Sequence, residues 1–144
     1  MDLDWEKLVK RYVWHDQRTP YFVRTSRLSP AQARYELFAY AVFMAVLCGV
    51  LALAALSPRA PHAGAAIVPI YAFSVLCAAV VLGATRHAAA ALWCAGAPLG
   101  ALAYFAVFGF HANLDAADRI LLVVAVLAWL GYGVRVVAIA RMMR

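Results

Sequence analysis

Residues 65–84 read AAIVPIYAFSVLCAAVVLGA, twenty positions without one Asp, Glu, Lys, Arg or His. A helix of about 20 residues crosses a hydrocarbon core of ~30 Å, and this segment is apolar on every face, as contact with lipid requires. A soluble helix of that length would carry a polar stripe. Working outward, runs of the same character cover residues 36–56, 64–84, 88–110 and 119–140 and take up nearly all of the chain after residue 35. Composition agrees: 67% of the residues are hydrophobic, 14% are charged, and the mean hydropathy is +0.79. These values lie well outside those of an ordinary soluble domain.

The runs are too long for the ~10-residue alternating strands of a membrane β-barrel, and backbone groups in lipid must bond within their own segment. The sequence therefore predicts an all-α membrane protein with four transmembrane helices in two antiparallel hairpins. Residues 30–144 form the bundle, and residues 1–29 form a leader containing a cytoplasmic amphipathic helix at the interface. Within residues 2–15, Trp5, Leu8, Val9, Tyr12 and Val13 recur at helical spacing, opposite Asp4, Glu6, Lys7, Lys10 and Arg11. That pattern suits a helix lying in the plane of the membrane surface or docked on a neighbouring membrane domain. The leader is charged throughout and lacks the short apolar stretch and cleavage site of a signal peptide.

Charge placement orients the chain. Of thirteen Lys and Arg residues, eleven precede the first run, lie at the end of the fourth or, as Arg86, sit in the turn between the second and third; Arg59 and Arg119 occupy the other two connections. Basic residues favour the cytoplasmic side, which puts both termini inside, as expected in a bacterial inner membrane. The net charge of +6 is thereby accounted for by orientation and anionic headgroups, without nucleic acid.

Local signals mark helix ends and contacts. Ser29, Pro30 and Gln32 form a helix start with a capping box, and Asp115 with Asp118 caps the fourth helix. Small residues at four-residue spacing, Ala41, Ala45 and Gly49, then Ala72, Ala79 and Gly83, then Gly96, Gly100 and Ala103, mark faces where helices approach closely. Pro69 and Pro98 are expected to bend the second and third spans. Trp129, near the middle of the fourth, needs a partner for its indole N–H, such as a backbone carbonyl or Ser74.

Chemistry-bearing residues are sparse. Cys48, Cys77 and Cys94 sit singly in three different spans and read as inert buried thiols, so no disulfide framework is expected. None of His15, His62, His87 and His111 lies at the depth that axial haem ligands need. His62, His111, Asp115 and Asp118 share the outer connections, but their spacing matches no metal signature. No catalytic residue, metal or cofactor is assigned. Glu36 and Arg135 are the ionisable groups nearest the membrane interior; both are expected at the inner edge, Glu36 beside Arg34 and Arg135 snorkelling to headgroups. In size the chain resembles the small multidrug-resistance exporters, yet it lacks their acid in the middle of the first span, and their activity is not carried over.

The expected role is therefore non-enzymatic association, as an accessory subunit of a membrane complex or a homo-oligomeric scaffold, with the bilayer, other membrane subunits or further copies as partners. Trp5, Tyr12, Trp14, Tyr21 and Phe22 would supply aromatic anchors, and Arg11, Arg18 and Arg24 would pair with acidic groups or phosphates. The alternative is a small oligomeric transporter or channel lined by Tyr71, Ser74, Tyr104 and Trp129. A further one is binding of anionic lipid headgroups at the inner rim.

Overall fold

A computed structural model describes residues 24–57, 66–111 and 113–143. The expected amphipathic helix, most of the aromatic leader, Arg59 and His62 lie outside these residues. A short 3-10 turn, Thr25–Arg27, leads into α1 (Pro30–Ala55). It is followed by α2 (Ile67–Thr85), α3 (Ala88–Ala95), α4 (Ala97–Phe108) and α5 (Ala116–Met142). No strand occurs among the described residues. α3 and α4 together make one apolar stretch, Ala88–Phe108, so among the described residues four helical segments are long and apolar enough to span a membrane. The protein is a multi-pass helical membrane bundle.

The helix ends form as their residues dictate. Gln32 N–H donates to Ser29 Oγ at 3.2 Å while Ser29 N–H donates to Gln32 Oε1 at 3.0 Å, closing the capping box, and Pro30 takes the first helical position. At α5, Asp118 N–H donates to Asp115 Oδ1 at 2.8 Å. His87 supplies a cap that the sequence reading passed over: its Nδ1 accepts from Ala89 N–H at 3.2 Å and starts α3. Arg86 closes α2 in the left-handed region (φ 56°), which makes the turn between α2 and α3 only two residues long.

The two prolines act differently from one another. Pro69 falls in the first turn of α2, where the N–H it lacks would have had no helical partner, and so it needs no bend. Pro98 removes a hydrogen bond in mid-span, and there the helix divides. Gly96 N–H is shared between the carbonyls of Leu92 and Trp93, both at 3.1 Å, and Leu99 N–H turns back to Gly96 O at 3.0 Å.

α1 packs most extensively on α2; α2 meets α3, both α3 and α4 meet α5, and α5 returns to α1. The interior holds Leu37, Met44, Val75, Leu82, Val136 and Ile139 among many alanines. Large apolar side chains also cover the outside, including Phe38, Val50, Phe73, Leu92, Ile120 and, at 74% exposure, Val107. In water such a surface would drive aggregation; in lipid it is the solvated face.

Small residues set the closest approaches. Ala41 Cβ lies 3.4 Å from where a methyl on Gly83 would sit, and Ala72 and Ala79 are buried. Gly100 gives way to the Tyr71 ring, while Gly49 faces open space. Gly133, which the sequence reading did not single out, makes the tightest backbone contact: a methyl there would lie 3.2 Å from Ala95 Cα.

Candidate functional site

Glu36 lies six residues into α1, and Arg135 seven residues before the end of α5. The two carry opposite charges. Arg135 Nε donates to Glu36 Oε1 at 2.6 Å and Arg135 Nη2 donates to Glu36 Oε2 at 3.0 Å, a fork-to-fork pair between residues 99 apart in sequence. The Glu36 side chain is wholly buried and that of Arg135 is 23% exposed. Both expected placements change accordingly: Glu36 turns inward to α5 rather than toward Arg34, and Arg135 reaches across to α1. The cause is the cost of a lone charge in an apolar setting, which a bidentate partner at matching depth offsets and a helix edge does not.

Two further rungs continue from this pair. The Tyr40 and Tyr132 rings are 5.7 Å apart between centroids, and Phe43 meets Trp129 edge-on at 6.3 Å. Glu36, Tyr40 and Phe43 share one face of α1 at spacings of four and three; Trp129, Tyr132 and Arg135 are three apart on α5. Partners advance along α1 as they retreat along α5, so these two helices run antiparallel. Beside the rungs, the Trp129 indole faces the Tyr40 hydroxyl, yet both polar atoms are buried without a partner in hydrogen-bond geometry.

Ser74, the partner expected for Trp129, is engaged elsewhere. Its hydroxyl donates to Tyr71 O at 2.7 Å and accepts from Trp93 Nε1 at 3.3 Å, and the Tyr71 and Trp93 rings lie 6.5 Å apart. Tyr71 and Ser74 are thus brought together, with Trp93 as a member the sequence reading missed. Tyr104 packs on Phe105 and Phe108 at the far end of α4, and Trp129 belongs to the α1–α5 seam.

At the end of the bundle where α1 begins and α5 finishes, Thr25–Arg27 packs against α5, and Leu28 and Met143 lean on the core. Arg24, Arg27, Arg34 and Arg141 are exposed there. Of the leader residues expected to make contacts, only Arg24 is described, its carbonyl accepting from Arg27 N–H at 2.8 Å. Trp5, Arg11, Tyr12, Trp14, Arg18, Tyr21 and Phe22 lie outside the described residues. At the opposite end are His111, Asp115, Asp118 and Arg119, with Arg119 Nε donating to Leu114 O at 3.0 Å and its guanidinium 6.0 Å from the Phe110 ring. His111 Nδ1 accepts from Asn113 N–H and Asp115 is spent on its cap. Among the described residues no group of three or more His, Cys, Asp or Glu comes together. Cys48 and Cys94 are buried and Cys77 is exposed, so the three thiols do not form one cluster.

No family model, curated protein or solved structure matches the chain.

The signals that could have found the seam are visible in retrospect. The two charges closest to mid-membrane are opposite in sign and similar in depth, and each begins an aromatic row at helical spacing.

Proposed function

We propose that this is a bacterial inner-membrane protein that acts by association, as an accessory subunit of a larger membrane complex or as a homo-oligomeric scaffold. In this reading both termini are cytoplasmic, α1 with α2 and the α3/α4 segment with α5 form two antiparallel hairpins, and residues 1–23 carry an amphipathic helix at the interface. The observation that carries the reading is the seat of the leader. Thr25–Arg27 rests on α5 next to the start of α1, so the described chain begins on the arginine-bearing rim. Large aromatics and arginines, such as the leader holds, dominate binding energy at protein interfaces. The charges inside the bundle support the same reading, since Glu36 and Arg135 neutralise each other.

Deleting residues 1–23 tests it. The truncated protein should still insert and keep its four spans, and should lose its co-purifying partner or its higher-order assembly. Unchanged co-purification would refute the proposal.

A second reading, a small oligomeric transporter, draws on the burial of Glu36, because an ionisable group within a span commonly marks a solute or proton route. Solute flux in reconstituted vesicles that is lost on Glu36→Gln would favour it. Binding of anionic headgroups at the arginine rim is a third outcome, recognised by its steep decline with salt.

A further inference from the structure

We propose that Glu36 and Arg135 are positioning residues for the leader: their ion pair holds the end of α5 against α1 and so builds the seat on which Thr25–Arg27 rests. The inference rests on the reading that the leader carries the contacts, and it names what fixes the leader's place.

Three observations converge on it. The leader turn packs on α5, an element joined to it only through the rest of the chain. A bidentate pair at 2.6 and 3.0 Å links α1 to α5, with the carboxylate wholly buried. The pair lies within two turns of the leader: Leu28 and Met143, which flank the two helix ends, both lean on the same core, and the turn lies beyond them. A charge left without its partner here must find water or headgroups. The nearest route is outward along the bundle end, through Leu28, Met143 and the turn. Loss of the pair therefore unseats the leader before it disturbs the α2–α3 side of the bundle, which contributes no charge to it.

Limited trypsin digestion of the full-length protein in nanodiscs tests this, read by mass spectrometry as two products. Cleavage after Arg27, giving an N-terminus at Leu28, reports the seat; cleavage after Arg86, in the turn between α2 and α3, reports the rest of the bundle. Both arginines are exposed, but the Arg27 bond must leave the turn to enter a protease. In Glu36→Gln the Leu28 product should form about tenfold faster or more, because the partly buried Arg135 has lost its charged counterpart. The His87 product should keep its wild-type rate. The neutral double variant Glu36→Gln/Arg135→Met should return most of the way to wild type, since no charge is then stranded. Arg135→Lys, which keeps the charge and loses the fork, should fall between wild type and Glu36→Gln and serves if Glu36→Gln does not accumulate.

A wild-type rate of Leu28 release in Glu36→Gln overturns the proposal. So does acceleration of both products together, which would make the pair a general stabiliser, and so does a double variant as labile as Glu36→Gln. None of these readouts needs a partner. A failure here leaves the association reading standing, and lost co-purification with normal cleavage would separate the two the other way.

Discussion

Gly100 shows how far a single residue controls this bundle. A methyl group there would lie 2.6 Å from Tyr71 Cε1, closer than atoms can pack, so the ring must move or α4 must shift. Gly100→Ala should therefore destabilise by about 1–3 kcal/mol, and Tyr71→Leu in the same protein should recover part of the loss. Thermal unfolding in micelles, followed with a dye that reacts as Cys48 and Cys94 become accessible, measures both. Ser29→Ala opens the capping box and should cost about 1 kcal/mol, while Ser29→Asp should cost much less. Tyr40 behaves in the opposite sense. Its buried hydroxyl has no partner in hydrogen-bond geometry, so Tyr40→Phe should leave the melting temperature unchanged or raise it. A clear fall would mean that the hydroxyl is bonded in the membrane. The contact role of Gly100 was legible from its spacing to Gly96, and the cap from Ser29, Pro30 and Gln32. Gly133 was not legible, because its counterpart Ala95 is one alanine among many and nothing in the sequence pairs them.

At the scale of elements, the number and extent of the helices follow from hydropathy, since twenty apolar residues in lipid have no alternative to a helix. Which face of each helix turns inward does not follow. In water the polar face identifies the outside; here Leu37 is buried and Phe38 exposed, and both are equally apolar. The seam between α1 and α5 suffers from the same ambiguity. Its polar rung is legible in principle from the opposite charges of Glu36 and Arg135 at similar depth, but reading each charge against its own helix end sent both to the rim. The break between α3 and α4 was better marked, by Pro98 in mid-span, and Pro69 was over-read because the start of α2 fell three residues later than expected. Replacing Pro98 with Ala restores the missing N–H and should allow α3 and α4 to join. Amide hydrogen exchange would then slow at residues 97–100 relative to the wild type.

For the molecule as a whole, length, hydropathy and charge distribution settle that the chain is a multi-pass membrane protein, and they say little about its partners, because lipid-facing and protein-facing surfaces share one chemistry. The charges supply the polarity of the bundle: arginines gather where α1 starts and α5 ends, and Asp115 and Asp118 stand at the other end of α5. Single cysteines introduced at His87 and His111 in a background lacking Cys48, Cys77 and Cys94 should report that polarity. His111→Cys should react with an impermeant maleimide added outside intact cells, and His87→Cys only after the membrane is opened. The reverse pattern would invert the proposed orientation.

Association is the central claim, and native mass spectrometry of the tagged protein, extracted in nanodiscs at its natural expression level, tests it most directly. The account predicts a defined hetero-complex or a homo-oligomer that dissociates when residues 1–23 are removed. A monomer carrying lipid alone, before and after that deletion, would contradict it.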